Sequence, residues 1–309
     1  MNGLARILVG LVTGFLGSRF AWLLLRNMFS TPVFQRENYR SRSVATAGGL
    51  CLVLSVLVVE AGRQIASLFG VGDEGSPARM LTMLLVFTFA LFGLVDDVAG
   101  TGNDRGFRGH LRAFRYGSLT TGGLKLIGGA TFSLVAVGLA NGLLPGRDKS
   151  IGSLLFDAAI IALAANTANL FDRAPGRTTK VSVVSFLLLA AGIVLWGTGT
   201  EGLVAIVPVA VVVGSCLGIF HDELRERVML GDTGANVIGA ALGFGVVISA
   251  STSARMAVCL VLVGLNLASE FMSFSRVIGS VGPLRWLDSL GRAERAGRET
   301  TPARQTNPH

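Results

Sequence analysis

Long apolar runs separated by short polar segments are the main pattern of this chain. Runs of about 17 to 25 residues are long enough to cross a bilayer as a helix. They predict nine spans, near residues 4–25, 44–61, 80–95, 122–143, 151–171, 180–197, 202–220, 233–250 and 254–272. The first run lacks a small-residue cleavage site followed by a soluble domain, so we expect a true span and no removable signal peptide. The pattern predicts an all-α integral membrane protein, a polytopic bundle of about nine transmembrane helices.

Composition supports the same class. Of the 309 residues, 51% are hydrophobic and 15% charged, and the mean hydropathy is +0.61. A soluble domain would need polar faces on its helices, which these runs lack. We therefore expect one polytopic membrane domain over residues 1–290 and a disordered polar tail over residues 291–309. The cysteines Cys51, Cys216 and Cys259 lie inside apolar runs without metal-type spacing, which favours small buried residues.

Basic residues predict the orientation, because Lys and Arg of short loops stay in the cytoplasm. Most of the 27 lysines and arginines fall in alternate segments, near residues 26–42, 105–115, 173–180, 225–227 and 276–304. This bias places the N-terminus outside and the C-terminus in the cytoplasm. The isoelectric point near 10.4 could also suggest nucleic-acid binding, but no helix-turn-helix or aromatic-interleaved basic stretch is present. Anionic lipids and phosphorylated substrates are the expected partners.

Acidic and amide side chains stand at the cytoplasmic ends of three predicted spans. An ionisable group at such a depth is costly and usually functional. On the predicted topology these side chains share one membrane face, where carboxylates can bind a hard divalent cation opposite a phosphate. They are Asp96, Asp97, Asn166, Asn169, Asp172 and Asp232.

Simpler roles remain open for each group. The acidic pair could be solvated residues ending a helix, and Asp232 could be a plain N-cap. The stripe Asn166, Asn169 and Asp172 recurs every three residues and could serve helix–helix hydrogen bonding. Lys125 could extend its side chain to the membrane interface or neutralise a diphosphate.

Two further patterns bear on the class of protein. The glycine pairs Gly10/Gly14 and Gly239/Gly243 have the spacing of helix-packing contacts. No internal repeat appears, and the ionisable residues cluster at one face instead of forming a path across the bilayer. A small transporter is therefore not favoured.

Five short motifs occur in a fixed order, each at a cytoplasmic helix end: ATAGG (45–49), VDD (95–97), GGLK (122–125), NxxNxxD (166–172) and GDTG (231–234). Their order and sidedness resemble the polyprenyl-phosphate N-acetylhexosamine-1-phosphate transferases, glycosyltransferase family 4. That superfamily includes the phospho-N-acetylmuramoyl-pentapeptide translocases of peptidoglycan synthesis. The resemblance covers roughly residues 40 to 290 and is that of a divergent branch.

The resemblance implies Mg²⁺, or alternatively Mn²⁺, bound by Asp232, and a catalytic acidic pair, Asp96 and Asp97. It implies a multi-pass protein of the bacterial plasma membrane with a cytoplasmic active site, and a homodimer. The partners would be polyprenyl phosphate and a nucleotide sugar, with transfer of a sugar 1-phosphate between them to start a cell-envelope glycan. Substrate-binding roles are implied for the residues matching the phosphate and nucleotide-sugar motifs: Lys125, Asn166, Asn169 and Asp172.

The chain also departs from the family pattern. The third motif usually continues as DGxDG, whereas here two arginines, Arg173 and Arg177, enter the nucleotide pocket, where we expect them to bind substrate. Gly100 stands in place of a lysine, no histidine motif follows residue 283, and a tenth span is missing. Asp288 or Arg285 could replace the histidine contacts. The alternative function is a non-catalytic relative that binds polyprenyl phosphate or scaffolds envelope synthesis.

Overall fold

The computed structural model describes residues 2–71, 76–100, 115–196 and 199–292. Within these ranges nine helices are long and apolar enough to cross a membrane, which confirms the predicted fold class and number of spans. Three arginines of the predicted cytoplasmic segment, Arg105, Arg108 and Arg112, lie outside the described residues. So do residues 293–309 of the predicted tail.

The elements follow one another in simple order. The spans are α1 (Gly3–Leu25), α2 (Gly49–Leu68), α3 (Pro77–Ala99), α4 (Thr121–Leu143), α5 (Ile151–Phe171), α6 (Arg177–Trp196), α8 (Val207–Leu224), α9 (Gly231–Ser249) and α10 (Thr252–Phe271). The shorter elements are the antiparallel strands β1 (Gln35–Glu37) and β2 (Ser43–Ala45), the 3-10 turns Met28–Ser30 and Pro32–Phe34, and the helices α7 (Thr200–Ala205), α11 (Phe274–Ser280) and α12 (Gly282–Ser289).

The second span begins later than its apolar run suggested. We expected residues 44–61, but residues 43–45 form β2 and the helix runs from Gly49 to Leu68. The preceding segment is held by the chain leading into α9: Gly48 N donates to Met229 O at 3.0 Å and Gly49 N to Leu230 O at 3.0 Å. These distant backbone partners satisfy groups that a longer helix would have paired internally.

The seventh run is broken where one continuous helix was expected. It divides at Ile206 into the short α7 and the span α8, and Pro208 lies in the first turn of α8. Proline has no N–H to donate and is tolerated in a first turn, so the break falls just before it.

Glycines bring the central helices into backbone contact. A Cβ added at Gly14 of α1 would lie 2.1 Å from Val211 O of α8, and one at Gly239 of α9 would lie 2.4 Å from Ala164 O of α5. The predicted packing role of the glycine pairs is thereby confirmed. The spans α8 and α9 are the most buried, and α10 is the least buried.

Successive spans run in opposite directions, so one end of the bundle collects a defined set of helix ends. At this end, here called the site face, α1, α3, α5, α8 and α10 finish while α2, α4, α6 and α9 begin. All five motifs lie there. That the site face is cytoplasmic stays a prediction from the basic residues.

Candidate functional site

An ion cluster at the site face joins three helices. Lys125, near the start of α4, donates from Nζ to Asp96 Oδ2 at 3.1 Å and also to Asp232 Oδ2. Asp96 lies near the end of α3 and Asp232 in the first turn of α9. The predicted convergence of these carboxylates is therefore present, with an ammonium group between them. Thr121 Oγ1 donates to Asp96 Oδ1 at 2.5 Å, so each oxygen of this carboxylate has a donor.

Asn169 of α5 adds a fourth helix to the cluster. Its amide satisfies both neighbours when its nitrogen donates to Asp232 Oδ1 at 2.7 Å and its oxygen accepts from Lys125 Nζ at 3.1 Å. Asp96, Lys125, Asn169 and Asp232 are together called the acid–lysine cluster below. Its four members are each only partly buried, so an entering anion can reach them.

Asp97 has a different environment from its neighbour Asp96. Its Oδ1 accepts from Asp232 N at 3.0 Å and Thr46 Oγ1 at 3.2 Å. Its Oδ2 accepts from Thr233 N at 2.9 Å and Thr233 Oγ1 at 2.6 Å. The carboxylate therefore caps the first turn of α9, where unpaired N–H groups favour an anion. Sequence analysis predicted a catalytic acidic pair, and the geometry gives its two members unlike surroundings.

Glycines allow the backbones of α2 and α3 to approach the first turn of α9 closely. A Cβ at Gly93 of α3 would lie 2.4 Å from Asp232 O, and one at Gly49 of α2 would lie 2.2 Å from Gly234 N. Gly231, which opens α9, has φ of +70°, a conformation that a side chain disfavours. The first turn of α9 is thus held against α2 and α3 through glycines.

Asp172 ends α5 beside the cluster and accepts from Thr178 Oγ1 at 3.4 Å. Burial raises the pKa of its carboxyl well above the usual value, and the negative charges of Glu223, Asp232 and Asp97 raise the pKa further. Sequence analysis missed Glu223, which lies at the end of α8 and is 2% exposed. It accepts from Gly176 N at 3.0 Å and from Thr179 Oγ1 at 3.1 Å, so it holds the turn that follows Asp172. An acid at the end of an apolar run was the signal available.

Asn166 does not contact the acid–lysine cluster. Its Nδ2 donates to Asn266 Oδ1 of α10 at 2.6 Å, and Asn266 Nδ2 donates to Thr167 Oγ1 at 2.8 Å. The structure therefore divides the predicted polar stripe: Asn169 faces the cluster, whereas Asn166 makes the helix–helix contact given as its alternative.

The two arginines after Asp172 also differ. Arg173 is exposed, whereas Arg177 is 6% exposed and binds Asp288 of α12 through Nε at 2.8 Å and Nη2 at 2.9 Å. Arg292 donates to the same carboxylate at 2.5 Å. Burial by itself would raise the pKa of Asp288, but the hydrogen bonds and charges of Arg177 and Arg292 outweigh it and lower the pKa. Asp288 thus pairs with arginine at the position where histidine contacts were expected, while Arg285 of the same helix is exposed.

The chemistry of the cluster suits Mg²⁺. Among the residues that the structure describes, no three His, Cys, Asp or Glu side chains form a protein cage for a metal ion. Mg²⁺, however, is usually bound by one or two carboxylates together with substrate phosphates. Asp96, Asp232 and the amide oxygen of Asn169 are hard oxygen donors, and the Lys125 ammonium already lies between the two carboxylates. The residues present therefore fit a magnesium ion completed by phosphate.

An apolar cavity of about 550 Å³ lies between α5, α6, α9 and α10. Its lining extends along α6 from Val181, near the site face, to Trp196 at the opposite end. Phe171 at the end of α5 lines it next to Asp172. The cavity thus offers an apolar path from the level of the acid–lysine cluster into the membrane region.

Fold and site together define a polytopic membrane protein with paired acids and a lysine at one helix-end face. No protein-family model matches the chain. It is similar to proteins named phospho-N-acetylmuramoyl-pentapeptide-transferase. In Nautilia profundicola the identity is 25% over 249 residues, 71% of this chain and 65% of the relative. In Sulfurimonas denitrificans it is 24% over 298 residues, 90% of this chain and 80% of the relative.

A third such protein, from Moorella thermoacetica, is 28% identical over 191 residues, 55% of this chain and 52% of the relative. The chain thus spans less than two thirds of the length of the Nautilia and Moorella relatives. The similarity confirms the predicted resemblance to the superfamily of the polyprenyl-phosphate N-acetylhexosamine-1-phosphate transferases.

Proposed function

We propose that this protein is a Mg²⁺-dependent glycosyl-1-phosphate transferase of the bacterial plasma membrane. It transfers a sugar 1-phosphate from a UDP-linked sugar to polyprenyl phosphate on the cytoplasmic face and so starts a lipid-linked envelope glycan. The observation that carries the proposal is the acid–lysine cluster, in which two carboxylates from separate spans meet one lysine. Similarity to phospho-N-acetylmuramoyl-pentapeptide-transferases over most of the chain supports it.

The two substrates supply the atoms of the reaction. A phosphate oxygen of polyprenyl phosphate attacks the phosphorus that carries the sugar, and a new P–O–P bond forms. The bond from that phosphorus to the UMP oxygen breaks, and UMP leaves with the electron pair. The products are polyprenyl diphosphate sugar and UMP, and no proton needs to move when the attacking phosphate is ionised.

The cluster residues divide this work. Asp232 and Asp96 would hold Mg²⁺, which when bound offsets the negative charge of the transferring phosphoryl group. Lys125 exchanges its carboxylate partners for phosphate oxygens of the donor and orients the diphosphate. Asp97 keeps the first turn of α9 in register, because both of its oxygens accept from Thr46, Asp232 and Thr233.

The apolar cavity supports a lipid acceptor. A polyprenyl tail needs an apolar surface that leads from the reacting phosphate into the bilayer, and the cavity between α5, α6, α9 and α10 runs in that direction. Phe171 lines its wall one residue before Asp172, so a tail seated there would keep its phosphate near the site face.

The test is release of UMP by the purified protein in detergent, with undecaprenyl phosphate, Mg²⁺ and a panel of nucleotide sugars. We expect turnover with one donor, loss of turnover in Asp232→Asn, and retention in the matched variant Asp148→Asn. Asp148 is exposed between α4 and α5, at the opposite end of the bundle. Equal turnover in Asp232→Asn and wild type, at equal protein levels, would refute the proposal.

One observation favours a second function, a non-catalytic protein that binds polyprenyl phosphate. Arg177 and Asp288 bind each other, and they stand in the sequence where the family pattern has a second acid and histidines. This function predicts undecaprenyl-phosphate binding without nucleotide release from any donor. It also predicts an unchanged cellular phenotype in Asp232→Asn, whereas the transferase predicts loss of function.

A further inference from the structure

The short helix α12 exposes its large apolar side chains. Trp286 is 62% exposed, Leu287 50%, Leu284 43% and Leu290 41%. At 100° per residue these positions fall on one side of the helix, and Arg285, Asp288 and Ser289 fall on the other. The helix is therefore amphipathic, and its apolar side points away from the protein.

On the polar side of α12, Asp288 binds the protein, whereas Arg285 and Ser289 are exposed. Asp288 forms the buried ion pair with Arg177 at the start of α6. Lys180 Nζ donates to the carbonyls of Leu287, Asp288 and Leu290 at 2.8–3.0 Å, which closes the C-terminal end of the helix. A helix on a water-soluble surface packs with its apolar side inward, so this reversed orientation indicates an apolar medium outside.

The contacts also fix the depth of α12. Arg177 begins α6 and Lys180 follows within one turn, so both residues that bind α12 lie within about 5 Å of the start of that span, at 1.5 Å per residue. This is the level of the lipid headgroups. The apolar surface continues into α10, where Phe271 is 83% and Leu267 59% exposed.

Positive charges on α11 and α12 also fit a position at the level of the lipid headgroups. Arg276 of α11 and Arg285 of α12 are exposed, and arginines at this level meet lipid phosphates. Residues 293–309 contain no Val, Leu, Ile, Met, Phe or Trp, so they offer no large apolar side chain to cover α12.

We propose that α11 and α12 form an interfacial anchor that lies in the headgroup layer on the site face. The partner is the bilayer surface: Leu284, Trp286, Leu287 and Leu290 enter the acyl boundary, and Arg276 and Arg285 contact lipid phosphates. Through Asp288 and Arg177 the anchor also fixes the turn after Asp172, so it ties the edge of the candidate site to the membrane surface.

Tryptophan fluorescence tests the anchor in the full chain reconstituted into phosphatidylcholine vesicles, with and without phosphatidylglycerol. The difference between wild-type and Trp286→Phe spectra isolates the emission of Trp286. We expect blue-shifted emission, strong quenching by lipids brominated near the headgroup and weak quenching by aqueous acrylamide. Trp196→Phe gives the matched difference for an indole at the opposite end of α6, which is 82% exposed.

Two outcomes would overturn the proposal. Emission of a water-exposed indole with efficient acrylamide quenching would place α12 in water. Protection from both quenchers would place it against protein, either a second copy or another segment of this chain, and dilution of protein in the vesicles separates these two. Double replacement Arg276→Ala/Arg285→Ala is expected to reduce the effect of phosphatidylglycerol on the quenching, and no reduction would remove the lipid-phosphate part of the proposal. Retained monodispersity in detergent shows that the variants are folded.

Discussion

Replacing Gly93 by alanine should displace the first turn of α9 and with it Asp232. The added Cβ would lie 2.4 Å from Asp232 O and 2.6 Å from Thr233 Cα, whereas ordinary contact begins at 3.4 Å. The added Cβ is fixed to the backbone of α3 and meets backbone atoms of α9, so the two helices must separate by about 1 Å. Overpacking of this kind costs about 1–3 kcal/mol of stability, and a misplacement of about 1 Å can lower a rate about 100-fold.

The assay pairs UMP release with thermal unfolding in detergent. Gly62→Ala is the matched control, because Gly62 lies in α2 and an added Cβ meets nothing within 4 Å. We expect this control to keep turnover and to gain up to about 1 kcal/mol from the better helix propensity of alanine. Gly93→Ala should lose both turnover and thermal stability.

A clear result would refute the reasoning. If Gly93→Ala kept wild-type turnover and unfolding temperature, the close approach of α3 to α9 would not control the position of Asp232. Loss of turnover with unchanged unfolding would instead locate the strain in the cluster alone.

Four further variants test other contacts. Lys125→Met should abolish UMP release, because it removes the cation shared by two carboxylates, and retained release would contradict its phosphate-orienting role. Asn169→Leu should lose turnover whereas Asn166→Leu should keep it and lower the unfolding temperature, since only Asn169 reaches the cluster; equal activities would contradict this division. The pKa of Asp288 is lower in the folded protein than in the unfolded chain, where it is about 4, so the ionised carboxylate stabilises the fold. This stabilisation is fully present above the unfolded-state pKa and is lost as the pH falls through the lower folded-state pKa. Asp288→Asn should therefore lower the free energy of unfolding by about 1–3 kcal/mol near neutral pH, and by less at acid pH. A loss of unfolding free energy that stayed the same at acid pH would contradict the ion pair.

Hydrophobic periodicity predicted most of the fold because bilayer thickness leaves few alternatives for a long apolar run. It could not locate the start of α2, because the backbone partners that end the preceding segment, Met229 and Leu230, lie about 180 residues later in the chain. The break before α8 had a local signal in Pro208, but hydropathy alone does not register it.

Convergence of the acids was predictable from sidedness, whereas the partner of each side chain was not. Asn166 and Asn169 recur on one helical face, yet a single turn decides whether the amide meets α10 or the cluster. Asp96 and Asp97 are neighbours in sequence, but only the approach of α9 separates a capping carboxylate from one that faces Lys125. Arg177 could not be assigned to Asp288, because 111 residues separate them.

The cap on α9 also implies an order of assembly. Asp97 accepts from Asp232 N and Thr233 N, which follow it by 135 and 136 residues, and chains are synthesised from the N-terminus. During membrane insertion the third span therefore enters before the backbone N–H groups of Asp232 and Thr233, which donate to the Asp97 carboxylate, have been synthesised. An insertion intermediate holding only the first seven spans lacks Asp232 as well. The reactive end of the bundle is completed only when the eighth span enters the membrane.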